Sequence, residues 1–151
     1  MLIFNKSEIT VHFFCKEYCE LMLAILTSFK VQWRDEKGGV ARFYTDKAEL
    51  KAEADVRLGI IQEIHERLQG SEENTPGKWS DFEYNFSGST FFYPIDFTNS
   101  YYTKPVNFVG TKYQDSANFS HSTYKKQAIF SNSIYQSEVY FYDSAYWSQA
   151  R

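Results

Sequence analysis

Apolar residues recur at steps of three and four from Leu50 through Ala54, Leu58, Ile61 and Ile64 to Leu68. That is the spacing of one helix face, and it predicts a long amphipathic helix over about 46–69. Asp46 with Glu49 three residues on reads as a capping box at its start. Glu53–Arg57 and Glu63–Arg67 fall in the favourable i,i+4 order on the wet face, and Gly70 is the stop. At 1.5 Å per residue such a helix runs ~35 Å. An earlier apolar series, Cys19, Met22, Leu23, Ile25 and Leu26, predicts a shorter helix over about 16–28. Residues 9–14 read as a short strand-type run before it. Residues 29–33 and 40–44 flank a polar turn with Gly38 and Gly39 and read as a hairpin.

The pattern changes after residue 70. Gly70-Ser71-Glu72-Glu73-Asn74-Thr75-Pro76-Gly77 is a loop by its turn residues. Beyond it the period becomes two: Phe82, Tyr84 and Phe86 alternate with Asp81, Glu83, Asn85 and Ser87. Phe91, Tyr93, Ile95 and Phe97 make a second stripe, with Pro94 marking an edge or break. Residues 129–134 suggest another hairpin and 137–142 a last strand, while 110–127 read as a long, weakly patterned loop. No internal repeat aligns. No alternating strand–helix rhythm is present, which argues against a parallel doubly wound sheet. The expectation is a single α+β domain over 1–151: a helix-rich half 1–70, a loop 70–78 and an aromatic, strand-rich half 79–151. In it an antiparallel sheet packs against the long helix and the shorter N-terminal one.

Composition sharpens the division. Residues 1–70 hold 21 charged and 8 aromatic side chains, and residues 79–151 hold 11 and 21. No Leu or Met follows Leu68. Leu and Met favour helices, whereas Tyr, Phe and Thr favour strands. Net charge is −3, which makes direct nucleic-acid binding a poor expectation, since phosphate neutralisation needs clustered Lys and Arg. The apolar patch at 21–26 is too short to cross a membrane and lacks the basic flank of a secretory signal. With only Cys15 and Cys19 there is no disulfide framework. A cytoplasmic location is expected.

Candidate chemistry is sparse. Cys15 and Cys19 could share a helix face as soft metal ligands, but structural zinc wants four ligands, so the expectation is no metal and no cofactor. His65-Glu66 lacks the second His of a zincin helix. Asp81 and Glu83, on one side of one strand, read as surface charge rather than as a glycosidase pair. His121, followed by Lys125 and Lys126, could serve a small metal-independent RNase-like hydrolase as base and phosphate-binding charges. Tyr and Trp dominate interface hot spots, and mixed with Ser and Asn they resemble binding loops. The reading that follows is a non-enzymatic protein-binding module, an inhibitor or immunity-type protein. It would occlude a partner, such as a nucleic-acid-handling enzyme, through an aromatic, locally acidic sheet surface. Its contacts would be Glu72, Glu73, Asp81, Glu83, Tyr101, Tyr102, Tyr140, Tyr142 and Trp147. The alternatives are the hydrolase using His121 and a carbohydrate-binding module. A homodimer is compatible with such a surface.

Overall fold

The computed structural model describes residues 6–28 and 39–148, with side chains placed over 16–27 and 49–148. Two helices open the chain, α1 (Lys6–Ser28) and α2 (Gly39–Leu68). Twelve two-residue strands follow: β1 (Tyr84–Asn85), β2 (Thr90–Phe91), β3 (Ile95–Asp96), β4 (Tyr101–Tyr102), β5 (Val106–Asn107), β6 (Lys112–Tyr113), β7 (Ala117–Asn118), β8 (Thr123–Tyr124), β9 (Ala128–Ile129), β10 (Ile134–Tyr135), β11 (Val139–Tyr140) and β12 (Ala145–Tyr146). They pair into four parallel three-stranded sheets, β1–β5–β9, β2–β6–β10, β3–β7–β11 and β4–β8–β12. Tyr84 faces Val106 and Val106 faces Ala128, one circuit of 22 residues apart. Among the described residues, 84–148 therefore wind as three coils of a four-sided β-solenoid.

The antiparallel sheet expected from the sequence is thus wrong, and so is the absence of a repeat. Parallel strands need a long connection. Here the other three sides of each coil supply it, so no helical crossover is required. Six 11-residue units begin at Tyr84, Ile95, Val106, Ala117, Ala128 and Val139. Position 3 of every unit is Phe, position 6 is Ser or Thr, and position 8 is Phe or Tyr. The segment 110–127, expected as a loop, carries β6, β7 and β8. The hairpin expected at 129–134 is a corner between β9 and β10, which lie in different sheets.

Each repeated residue type has a physical task. The Phe of position 3 and the aromatic of position 8 point inward and stack coil upon coil. Phe86, Phe108 and Phe130 lie 4.8 and 4.9 Å apart, and Tyr102, Tyr124 and Tyr146 lie 5.1 and 4.9 Å apart, all within 8° of parallel. The spacing is that of neighbouring strands, so ring stacking and the hydrogen-bonded ladder share one period. Position 2 is Asn or Asp in the first four units. Its side-chain oxygen accepts from the backbone N–H two residues on, at 2.9–3.1 Å, in Asn85, Asp96, Asn107 and Asn118. Those Asx turns lead into the corner at position 5, where Gly88, Asn99, Gly110, His121, Asn132 and Asp143 all have positive φ, between 54° and 71°. Gly and Asn suit that left-handed conformation, while bulkier residues are rare there. The hydroxyl of position 6 then reaches back one coil. Ser122, Ser133 and Ser144 Oγ donate to the carbonyls of Phe97, Phe108 and Phe119 at 2.8–3.0 Å.

The helices close the first coil. Cys19, Met22, Leu23 and Leu26 of α1 join Ile60, Ile61, Ile64 and Leu68 of α2 in one core with Trp79, Phe82, Tyr84, Tyr93 and Phe97. His65 Nε2 meets the Thr98 carbonyl at 2.6 Å, and the Gln69 amide donates to the same oxygen at 3.0 Å. Arg57 is buried, with Nη1 donating to the Leu26 carbonyl at 3.1 Å, so it satisfies an orphan acceptor at the end of α1. Gly77 sits against the Arg67 carbonyl, 2.2 Å from where a Cβ would be, so only glycine fits.

Both helices are longer than their periodicity suggests. Asp46 and Glu49 lie inside α2 rather than at its start, and residues 9–14 and 40–44, expected as strands, are helical. Of the turn expected at 35–39, only Gly39 is described, and it opens α2; residues 35–38 and the strand expected at 29–33 lie outside the described residues. The alternation at 81–87 holds, with Phe82, Tyr84 and Phe86 buried between exposed neighbours. Among the described residues, no helix is long and apolar enough to cross a membrane.

Candidate protein-interaction surface

Inward and outward positions decide which aromatics are available. Tyr84, Tyr93, Tyr102, Tyr113 and Tyr124 are buried, which corrects the expectation of a generally aromatic surface. Burial pushes the Tyr93 hydroxyl up to about 12, partly offset by Arg57 beside it. Burial likewise raises Tyr84, Tyr102, Tyr113 and Tyr124. The hydroxyls of Ser100, Thr111 and Ser122 partly offset that rise at Tyr102, Tyr113 and Tyr124.

Outward-facing aromatics gather instead on the third coil. Position 2 there is Tyr140, where the same column carries Asn118 one coil earlier. Position 4 is Tyr142 above Ser120, and position 9 is Trp147 above Lys125. Trp147 is 69% exposed and Tyr142 56%. Tyr140 meets Tyr142 edge-on at 6.3 Å, and Tyr142 meets the His121 ring at 5.2 Å and 90°. The Tyr140 hydroxyl donates to the Glu138 carboxylate, which raises its pKa. His121 Nδ1 lies 4.0 Å from Asp143 Oδ2. Around the next side, Lys125 Nζ sits 3.0 Å from the centre of the Trp147 ring and 5.9 Å from that of Tyr101, a cation–π contact spanning three coils.

The sequence-derived site divides on this frame. Tyr140, Tyr142 and Trp147 lie on the third coil, and Tyr101 joins Trp147 through Lys125. Tyr102 is an interior stack member with 1% exposure. Glu72 and Glu73 stand in the loop after α2, and Asp81 and Glu83 precede the first coil, at the helix-covered end. They are exposed but form no patch with the aromatics. The acids beside the aromatic group are Glu138 and Asp143, which the sequence reading did not single out. The signal for them was their place in the repeat.

The hydrolase constellation does not assemble. His121 occupies the left-handed corner and contacts Tyr142 and Asp143, whereas Lys125 is engaged by Trp147 and Tyr101. Among the described residues no contact joins His121 to Lys125 or Lys126. Cys19 is buried, and burial pushes its thiol up to about 11, with the nearby Tyr84 hydroxyl partly offsetting. It is therefore a protonated core residue. The Cys15 side chain lies outside the described residues. Among those described, no three His, Cys, Asp or Glu side chains cluster as metal ligands.

The fold defines the class: a repeat protein, a four-sided β-solenoid of 11-residue units covered at one end by a helical pair. Compared with known protein families, characterised proteins and solved structures, the chain matches none.

Proposed function

We propose that the protein is a non-enzymatic protein-binding module, an inhibitor-type protein that covers part of a partner through the aromatic group on its third coil. Tyr140, Tyr142 and Trp147 are the contact residues, with Tyr101 and Lys125 behind Trp147. The carrying observation is a departure from the repeat. The first four units place Asn or Asp at position 2, where it closes the Asx turn. The last unit gives that up for an exposed tyrosine, and adds Tyr142 and Trp147 where the coil below has Ser120 and Lys125. Winding the coil does not need these rings, and exposed rings are costly to solubility. Such residues anchor interfaces. Glu138 and Asp143 beside them suit a partner with a basic contact surface, as a nucleic-acid-handling enzyme has.

The test uses the repeat itself. A triple variant Tyr140→Asn, Tyr142→Ser, Trp147→Lys gives each column the residue it carries one coil earlier. The wild-type chain should capture a stoichiometric partner from cells that produce it, and the triple variant should lose that partner while melting at a similar temperature. Capture that is indifferent to the three substitutions, or no partner at all, would refute the proposal.

A further inference from the structure

Charge on the solenoid is sorted by side. Along 84–148 the chain carries four carboxylates, Asp96, Asp115, Glu138 and Asp143, and four lysines, Lys104, Lys112, Lys125 and Lys126. The sheet β3–β7–β11, with the corners that enter and leave it, comprises residues 92–100, 114–122 and 136–144. All four carboxylates fall within those stretches, and no Lys or Arg does. The lysines all lie outside them. Every coil passes through both regions, so the sorting follows the winding rather than the order of the chain. The four acids are exposed. Among the described residues they meet no Lys or Arg; Asp96 has His65 at 3.9 Å and Asp143 has His121 at 4.0 Å. Tyr140 and Tyr142 stand on this same side, between Glu138 and Asp143 in the chain. Trp147, held by Lys125, belongs to the next side.

We infer that the β3–β7–β11 side is the docking face for an extended, arginine-rich segment of the partner. The inference rests on the partner-binding function proposed for the third coil; it widens the surface to all three coils and gives it an occupant. Charge complementarity fixes the sign. An exposed side with four carboxylates and no Lys or Arg of its own attracts cationic side chains and repels acidic surfaces. The tyrosines favour arginine over lysine. A guanidinium stacks flat on an aromatic ring and forks its N–H groups onto a carboxylate, whereas an ammonium is a compact, strongly hydrated point charge. Tyr140 and Tyr142 beside Glu138 and Asp143 offer both contacts together. The Tyr140 hydroxyl donates to Glu138, which holds that carboxylate next to the ring. Size fixes the form of the segment. Three coils at strand spacing make a face ~10–15 Å tall, which an extended chain crosses in roughly three to five residues.

The probe is an acetylated, amidated hexa-arginine peptide titrated into the full chain, with hexa-lysine beside it. Hexa-arginine should bind, more tightly than hexa-lysine by several-fold, and the binding should weaken as salt rises past ~0.1 M. Asp96→Asn, Asp115→Asn, Glu138→Gln and Asp143→Asn together should weaken it ~10-fold or more. The fold tolerates these amides, since Asn already serves position 2 in Asn85, Asn107 and Asn118 and the corner in Asn99 and Asn132. Glu72→Gln with Glu73→Gln, acids of the loop after α2, should leave binding intact. Tyr140→Asn with Tyr142→Ser should remove the preference for arginine. No binding of hexa-arginine, binding that the four amides leave unchanged, or an equal loss from the Glu72 and Glu73 substitutions would overturn the inference. The two readings also fail separately. A native partner that the aromatic triple variant loses but the four-amide variant captures undiminished would overturn this inference and leave the proposed function standing.

Discussion

Tyr124 and Tyr146 stand at the same repeat position one coil apart, their rings parallel and 4.9 Å from each other. Tyr124 is fully buried, while Tyr146 is 38% exposed. The same holds along the other stacks, where Phe108 and Phe119 are sealed and Phe130 and Phe141 are not. Composition therefore does not decide burial in this fold; the presence of a coil on both sides does. In a stacked repeat, stability is set by neighbour interfaces. The first two coils, whose stacked rings are buried, should behave as one unit, and the less buried third coil should be separable from it.

Alkaline pH should make the largest difference between them. Tyr84, Tyr93, Tyr102, Tyr113 and Tyr124 all belong to the covered part, and burial raises every one of their pKa values. A raised folded-state pKa leaves stability intact below the unfolded value. It is lost as pH climbs from there toward the folded value, because the unfolded chain then releases protons first. Each such tyrosine steepens the loss by about 1.4 kcal/mol per pH unit. The fold should therefore be steady to about pH 10, the ordinary tyrosine value, and then collapse cooperatively. Tyrosinate absorbance and circular dichroism should change together; buried rings that ionise before the ellipticity is lost would break the comparison.

Truncation inside a stack comes next. Phe108 is held between Phe86 and Phe130 at 4.8 and 4.9 Å. Phe108→Ala should cost about 3–5 kcal/mol in urea unfolding, the usual range for a buried Phe. Phe130→Ala, at a half-buried position of the third coil, should cost clearly less. Equal costs would mean that the third coil is packed as tightly as the second.

How much of this was legible in the chain differs between its halves. The helices were, because α2 keeps its apolar face over many turns and burial follows it through Ile61, Ile64 and Leu68. Their starts were not: Asp46 with Glu49 imitates a cap inside a helix. In the second half, alternation showed that Phe82, Tyr84 and Phe86 share one side and that Phe91, Tyr93, Ile95 and Phe97 form a stripe, and in the structure all seven are buried. It does not report what a strand pairs with. Two-residue strands are too short for periodicity to reveal them, and the local alternation of Phe82 to Phe97 masks the longer period. The 11-residue recurrence of Phe, then Ser or Thr three on, then Phe or Tyr two further, was the available signal. At the candidate site, Tyr140, Tyr142 and Trp147 were legible as interface types. The burial of Tyr102 and the nearness of Glu138 and Asp143 become visible only once the repeat sets the columns.

A corner substitution tests whether His121 belongs to the fold or to chemistry. Its φ of 58° places it among six corners otherwise made by Gly, Asn and Asp. A β-branched residue there is strained, so His121→Val should cost about 1–2 kcal/mol. His121→Gly should be close to neutral or slightly stabilising. If glycine destabilises as much as valine, the ring contact with Tyr142 matters more than the backbone, and thermal melts of the two variants side by side decide it.

The smallest effect should come from the hydroxyl ladder. Ser122 Oγ donates to the Phe97 carbonyl at 2.8 Å across the interior of the first two coils, and Ser144 Oγ does the same to Phe119 at 3.0 Å between the second and third. Ser122 is buried and Ser144 only partly so. Removing one partner of a buried hydrogen bond strands the other, whereas near the surface water can replace it. Ser122→Ala should therefore cost about 1 kcal/mol and Ser144→Ala less, both read as midpoint shifts in urea at unchanged slope. A larger penalty for Ser144→Ala would reverse the comparison. The third coil would then be the more tightly held of the two.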